Sequence, residues 1–233
     1  MNKKCCVIIC FITTFLLFGV VALLTMQLTT QKNAKFIYNK SIKSIVEVKA
    51  ETSEIGESYG SAVIYDDGYA ITNAHVISYS NMNNNILFET ITIRFAHMER
   101  YIEAEVIKTD YDLDLAIISF NDENIDYKKI SFSKKDYCSG DLVYAIGNSS
   151  NYGIGISEGI ISVNEVNVIQ DEKIRTVIQC DINISSGNSG GALLDKKGCL
   201  IGITTFRTKD LKGNINYGFV YSIPLKTIID FIK

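Results

Sequence analysis

The sequence contains one proline and two histidines among 233 residues, and its charges nearly balance. One proline with 16 glycines excludes collagen-like and proline-rich linker proteins. Because the 23 Lys and Arg residues are outnumbered by 26 Asp and Glu residues, no basic surface for nucleic acid is expected. Two lone histidines and no acidic ligand cluster offer no metal site. We therefore expect no nucleic-acid partner and no metal or organic cofactor, in a chain that is 47% apolar and mostly folded.

An apolar run near the N-terminus predicts a contact with a membrane. Residues 5–28 contain no charge, and Lys3 and Lys4 precede them. At about 1.5 Å per residue, such a helix can cross the ~30 Å hydrocarbon core. We expect a cytoplasmic tail over residues 1–4, an uncleaved transmembrane signal anchor over 5–28, and a polar linker over 29–40, with the remaining chain outside the cytoplasm. A cleaved signal peptide is the alternative.

From about residue 40 onward, short runs rich in Val, Ile, Tyr and Thr alternate with turn signals such as Asp67-Gly68. About a dozen such runs predict an all-β protein of two small antiparallel barrels or sandwiches. Residues 41–135 and 136–223 would form the two halves. Pro224 opens an amphipathic run that predicts a short helix over 224–233.

The folded part contains three cysteines, which cannot all pair with one another. They are Cys138, Cys180 and Cys199. One disulfide with a free thiol is possible in an exported domain, but three buried thiols are the simpler expectation.

Three segments carry residues that suit nucleophilic catalysis. Ser189 lies in Gly-Asn-Ser-Gly-Gly, where glycines permit a tight turn around an exposed hydroxyl. His75 follows a strand in Thr-Asn-Ala-His-Val, whereas His97 has no such context and is predicted to lie at the surface. Asp114 leads into the apolar strand Leu-Ala-Ile-Ile, with Asp112 as a rival carboxylate. Each segment alone is more often structural, but His75, Asp114 and Ser189 follow each other at separations of 39 and 75 residues.

With this order, the sequence resembles the trypsin-type serine proteases, and specifically the protease domain of the HtrA family. The resemblance covers residues 45–224 and includes further motifs in the family's order. These are Gly60-Ser61-Ala62-Val63-Ile64, Ala145-Ile146-Gly147-Asn148, Glu158-Gly159-Ile160-Ile161-Ser162, Gln179-Cys180-Asp181, Gly202-Ile203, Gly218-Phe219 and Ile223-Pro224. It implies a double barrel with six antiparallel strands in each half. Only nine residues follow Pro224, so no PDZ domain is expected.

The resemblance also implies a role for each site residue. Ser189 would be the nucleophile, His75 the general base and Asp114 the residue that orients it. Gly187, Asn188 and Ser189 would form the oxyanion hole. The specificity pocket would be formed by Asn183, Ile184, Thr204, Thr205 and Phe206.

The sequence departs from the family at positions near the oxyanion loop. Serines stand at 149, 185 and 186, where the family usually has Pro, Asn and Pro or Arg, and Cys180 replaces a Thr. A resting loop out of register is therefore a possible outcome.

The predicted function is a membrane-tethered serine endopeptidase that acts on extracytoplasmic proteins and peptides. A proteolytically silent binding or chaperone-like double barrel is the alternative, and an esterase or acyltransferase is a third. Relatives in the family are often trimeric, so a homo-oligomer is possible, with Phe36 and Tyr38 as candidate contacts.

Overall fold

The computed structural model describes residues 3–82, 84–121, 124–170, 173–205 and 219–233, without the side chains of residues 3–10 and 27–33. The chain divides into two compact units, Met1–Phe36 and Ile37–Lys233.

The described residues of the first unit lie in helix α1, which spans Lys3–Ser41. Large apolar side chains of this helix are exposed, among them Phe11, Phe15 and Phe18. Among the described residues, no helix has the combination of length and apolarity needed to cross a membrane. The predicted linker over 29–40 is helical, in a stretch without the Gly or Pro that would interrupt a helix.

The second unit consists mainly of strands. A 3₁₀ turn, Ile42–Ser44, follows α1, and a second 3₁₀ turn covers Ser149–Asn151. The strands before residue 120 are β1 (Ile45–Thr52), β2 (Gly56–Asp66), β3 (Tyr69–Thr72), β4 (Ser78–Asn81), β5 (Asn84–Leu87), β6 (Thr90–Phe95), β7 (Ile102–Glu103), β8 (Glu105–Asp110) and β9 (Leu115–Ser119). The later strands are β10 (Leu142–Asn148), β11 (Ile154–Gln170), β12 (Lys173–Ile182), β13 (Ala192–Asp195), β14 (Leu200–Thr204) and β15 (Val220–Pro224). Two short helices complete the described chain, α2 (Ala74–Ile77) and α3 (Leu225–Ile232).

The N-terminal half is a seven-stranded antiparallel sheet in the order β7-β6-β1-β2-β3-β9-β8, with β4 and β5 as a separate hairpin. Strand β6 shows how the sequence sets its faces, because Ile91, Ile93 and Phe95 alternate with half-buried polar residues and enter the core. The predicted closed six-stranded barrel is wrong for this half. The edge strand β7 spans two residues, which leaves too few main-chain groups to pair with the opposite edge.

The C-terminal half is a closed six-stranded barrel in the order β10-β11-β12-β15-β14-β13, as predicted. Its core contains apolar residues from several strands, including Ile161, Ile178 and Leu193. The predicted C-terminal helix is also confirmed as α3, which buries Ile228 and Phe231. Lys108 donates a hydrogen bond to the main-chain oxygen of Phe231 at 2.6 Å, which ties the helix to β8.

The three cysteines of this unit are free thiols, so the predicted alternative of one disulfide is wrong. Cys180 is buried in the barrel core, and burial raises the pKa of its thiol to about 12. Cys138 is exposed and Cys199 is half-buried, so the expectation of three buried thiols holds for Cys180 alone.

Candidate active site

His75 lies on the one-turn helix α2, which the sequence did not predict. The helix begins directly after β3 and Asn73, and it buries Val76 and Ile77 while the His75 side chain stays 47% exposed. Asn73 does not cap this helix with its side chain but donates from Nδ2 to the main-chain oxygen of Asp114 at 2.9 Å. The turn therefore fixes the histidine against the segment that carries the carboxylate.

The Asp114 side chain is 5% exposed, and hydrogen-bond donors surround its carboxylate. It lies 2.9 Å from Nδ1 of His75 through Oδ2, and Oδ1 accepts from the main-chain N–H of His75 at 3.1 Å. Thr205 donates from Oγ1 to Oδ2 at 2.6 Å. The main chain of Asp114 has a φ of 58°, in the left-handed region that non-glycine residues rarely adopt. With the main chain in this conformation, the Asp114 side chain points toward His75.

The pKa of Asp114 is lowered from its ordinary value. Burial is the largest single influence and acts to raise the pKa, but the charge and hydrogen bonds of His75 and the hydroxyl of Thr205 outweigh it. The site is thus built to keep a buried carboxylate ionised beside an imidazole.

The rival carboxylate, Asp112, points elsewhere. Its side chain is 83% exposed and lies 2.5 Å from the Lys173 ammonium. The structure therefore brings Asp114, and not Asp112, to His75. His97 is exposed, with its ring beside that of Phe95.

Ser189 lies in the loop between β12 and β13, close to the strands of the N-terminal sheet. Its main-chain oxygen accepts a hydrogen bond from the N–H of Ser61 at 2.8 Å. The neighbouring Gly190 has a φ of 82°, and a Cβ there would lie 2.0 Å from the Ser61 oxygen. Only glycine fits this approach, which explains one of the glycines beside the serine.

The Ser189 hydroxyl donates to the main-chain oxygen of Thr205 at 2.7 Å. Among the hydrogen bonds of the described residues, none joins it to His75. Thr205 therefore contacts both Ser189 and Asp114, through its main-chain oxygen and its hydroxyl respectively.

The predicted oxyanion hole has two available donors. In the described part of the chain, no hydrogen bond uses the main-chain N–H of Gly187 or that of Ser189. The N–H of Asn188 donates to the Ser185 oxygen at 3.2 Å and serves the loop itself. Asn188 is thus a structural member of the turn.

Ser61 contacts this loop at a position that sequence reasoning did not single out. Its fully buried hydroxyl donates to the Gly187 oxygen at 2.7 Å and accepts from the N–H of Asn148 at 2.8 Å. Thr72 donates from Oγ1 to the Ser61 main-chain oxygen at 2.7 Å. The only signal for Ser61 in the sequence was its position in a family motif. A strand sequence does not show which distant carbonyl a side-chain hydroxyl will meet.

The residues predicted for the specificity pocket lie in different environments. Asn183 is exposed, whereas Ile184 is 5% exposed and packs in the barrel core. Thr204 donates from Oγ1 to the Asn188 oxygen at 2.5 Å, and Thr205 bonds Asp114. Both threonine hydroxyls thus support the candidate active site. Phe206 lies outside the described residues.

In the described ranges, no three His, Cys, Asp or Glu residues form a group that could hold a metal ion.

The candidate active site consists of a buried carboxylate, an imidazole and a glycine-flanked serine. It lies between a β-sheet and a β-barrel, and this arrangement suits acyl transfer.

This fold and site define a peptidase class. The sequence profile of the trypsin-like peptidase domain matches residues 60–203, so the chain belongs to the trypsin-like peptidase family. Its protease domain is of the HtrA type, as its similarity to DegS and AlgW indicates.

Three similar proteins illustrate the family. The chain is 29% identical over 204 residues to the serine endoprotease DegS of Haemophilus influenzae, across 84% of this chain and 55% of that protein. It is 38% identical over 172 residues to a probable serine protease do-like of Buchnera aphidicola subsp. Acyrthosiphon pisum, across 72% of this chain and 34% of that protein. Among solved structures, the HtrA-type protease AlgW with a tripeptide superposes with a TM-score of 0.72 at 28% identity, over 84% of this chain and 61% of that one. The chain thus spans about half or less of these two sequence relatives.

Proposed function

We propose that this protein is a serine endopeptidase in which Ser189, His75 and Asp114 act as a catalytic triad. The observation that carries the proposal is the buried Asp114 carboxylate, which lies 2.9 Å from Nδ1 of His75. Thr205 accepts a hydrogen bond from Ser189 and donates one to the same carboxylate, so all three residues meet at one site. The similar protease AlgW was solved with a tripeptide, which supports peptide substrates for this chain as well.

Catalysis would begin with a rotation of the Ser189 side chain from Thr205 to His75. Ser189 Oγ then attacks the scissile carbonyl carbon while Nε2 of His75 accepts its proton. The N–H groups of Gly187 and Ser189 stabilise the oxyanion of the tetrahedral intermediate.

Collapse of that intermediate breaks the C–N bond, and His75 returns the proton to the leaving amine. Water then attacks the acyl-enzyme with His75 again as the base, which releases the carboxylic acid and restores Ser189. Asp114 stays ionised throughout and stabilises the imidazolium.

Labelling by a fluorophosphonate probe tests the triad. We expect covalent labelling at Ser189 that is lost in His75→Ala, because the probe requires an activated hydroxyl. His97→Ala is the matched control and should label normally. A folded protein without labelling would favour the alternative, a proteolytically silent binding or chaperone-like protein. Turnover of small esters without peptides would instead favour an esterase.

We also propose that the protease is held at a membrane by its N-terminal segment and acts on extracytoplasmic proteins. The support is the uncharged run of residues 5–28 and the exposure of Phe11, Phe15 and Phe18 at 74%, 81% and 77%. Alkaline carbonate washing of membranes should leave the full-length chain in the pellet, with residues 40–233 open to protease added from outside. A soluble mature form beginning near Thr29 would establish a cleaved signal peptide instead.

Self-association is proposed through Phe36. The Phe36 side chain is 60% exposed, whereas the Tyr38 hydroxyl donates to the Ile154 oxygen at 3.1 Å within the same chain. Light scattering should show an oligomer that Phe36→Ser dissociates and Tyr38→Phe does not. A monomeric wild type would refute it.

A further inference from the structure

The orientation of one peptide unit decides whether the Gly187 N–H can serve as an oxyanion donor. The carbonyl oxygen of Ser186 accepts a hydrogen bond from the Ser150 N–H at 2.7 Å. In a planar trans peptide, the C=O and the following N–H point in opposite directions. Anchoring the Ser186 oxygen toward Ser150 therefore turns the Gly187 N–H the other way and leaves it unbonded.

Side-chain hydroxyls hold the donating loop in place. Ser185 Oγ lies 2.5 Å from Ser149 Oγ, and Ser150 Oγ donates to Ser185 Oγ at 3.0 Å. Ser185 and Ser186 directly precede Gly187, so these bonds join the turn at residues 149–151 to the start of the oxyanion loop.

The turn itself has an uncommon main-chain conformation that needs such support. Ser150 and Asn151 have φ values of 56° and 60°, both in the left-handed region. This conformation directs the Ser150 N–H to the Ser186 oxygen. Residues held there persist only where surrounding contacts determine them.

The fit between the two segments is also close. Gly187 has a φ of 90°, and a Cβ at this position would lie 2.1 Å from the Asn148 oxygen. The loop therefore approaches the end of β10 main chain to main chain, and small displacements of the turn at 149–151 are transmitted to Gly187.

We propose that Ser149, Ser150 and Ser185 form a serine clamp that positions the Gly187 N–H for oxyanion stabilisation. This inference rests on the proposed endopeptidase function and assigns the three serines as positioning residues. Ser149 and Ser185 both differ from the family's usual residues at these positions. Their two hydroxyls bond each other, so the loop can still leave the Gly187 N–H free for the oxyanion.

Ser185→Ala tests the clamp because it removes, at a half-buried site, the contacts of the Ser185 hydroxyl with Ser149 and Ser150 and its long bond to the Ser186 oxygen at 3.4 Å. Loss of a whole oxyanion donor costs ~10²–10³-fold in kcat, so a loosened donor should cost about tenfold. KM for a peptide substrate should stay within about twofold, because the oxyanion forms only in the transition state. Affinity for a peptide boronate should fall in parallel with kcat.

Three further variants complete the experiment. Ser186→Ala is the matched control, since this neighbouring side chain is exposed and its hydroxyl makes no hydrogen bond among the described residues. Ser185→Thr retains the hydroxyl and should restore kcat. The double variant Ser149→Ala with Ser185→Ala should lose little more than Ser185→Ala alone, because the two substitutions break a shared bond.

The outcomes separate the clamp from the function on which it depends. If wild type hydrolyses peptides and labels with fluorophosphonate while Ser185→Ala keeps its kcat, the clamp is wrong and the function stands. An equal loss in Ser186→Ala, or a change in KM without kcat, also overturns it. If Ser185→Ala fails to fold, Ser149→Ala is tested instead, with kcat, KM and peptide boronate affinity as the measurements. If wild type shows neither activity nor labelling, both proposals fall.

Discussion

The Ser189 hydroxyl donates to the main-chain oxygen of Thr205 at 2.7 Å, and Thr205 in turn donates from Oγ1 to Asp114 at 2.6 Å. The residue that directly follows β14 thus holds the candidate nucleophile and the carboxylate at once. A change of the Ser189 rotamer releases the hydroxyl for His75, and such rotations of partly exposed side chains take picoseconds to nanoseconds. Hydrogen bonds of catalytic groups often tighten only when substrate is bound.

Ser189→Ala should abolish peptide hydrolysis while the fold remains intact. The hydroxyl acts in the chemical step, and its one described bond is to a main-chain oxygen that the variant leaves in place. Turnover of a peptide substrate and the thermal unfolding midpoint measure the two effects. Activity near that of wild type would show that another serine is the nucleophile.

His75→Ala should reduce turnover by ~10⁴-fold or more, because related triads lose this much without their base. The buried Asp114 carboxylate loses its imidazole partner in this variant, so the unfolding midpoint should fall as well, and kinetics are measured at a temperature where the variant is folded. Steady-state kinetics with His97→Ala as the comparison checks the prediction. A comparable loss in His97→Ala would contradict it.

Acid should destabilise wild type more than Asp114→Asn. The pKa of Asp114 is lowered from 3.8 in the folded protein, so the stability from its ionised form is fully present above 3.8. This stability is lost as the pH falls through the lower folded pKa. Asparagine cannot titrate, so the variant lacks this contribution.

The measurement is the free energy of unfolding in urea between about pH 5 and pH 2 for both proteins. Exposed carboxylates whose pKa is also lowered, such as Asp66 and Asp126, are common to both and cancel in the comparison. Parallel pH profiles would refute the assignment.

Ser61→Ala should lower stability by about 1–3 kcal/mol, since the Gly187 oxygen and the Asn148 N–H would each lose a buried partner. We also expect a lower kcat, because Gly187 belongs to the oxyanion loop. Ser58→Ala, on the same strand, is the control. Urea unfolding and steady-state kinetics measure both effects, and identical values for the two variants would exclude this role of Ser61.

Cleavage is expected after Val, Ala, Ile or similar residues. The family resemblance places position 183 at the base of the specificity pocket, and its Asn offers no carboxylate to pair with a Lys or Arg side chain, whose unpaired charge would be disfavoured in a closed pocket. Profiling with a peptide library checks this preference. A dominant Arg or Lys at the cleaved position would refute the pocket argument.

The sequence by itself predicted the C-terminal barrel, the C-terminal helix and the serine, histidine and aspartate segments. These features depend on local signals, such as alternating apolar residues in a strand or glycines around one serine. From the sequence, Asp114 and Asp112 were both candidates for the carboxylate that orients the histidine, because both precede the same apolar strand.

The tertiary structure decided what depends on contacts between distant segments. It brings Asp114 to His75 and Asp112 to Lys173, and it leaves the N-terminal sheet open because β7 is short. It also joins Ser61 to Gly187, residues that are 126 positions apart. A hydrogen bond requires two atoms within about 3 Å of each other, and separation along the chain does not reveal which buried hydroxyl will meet which carbonyl.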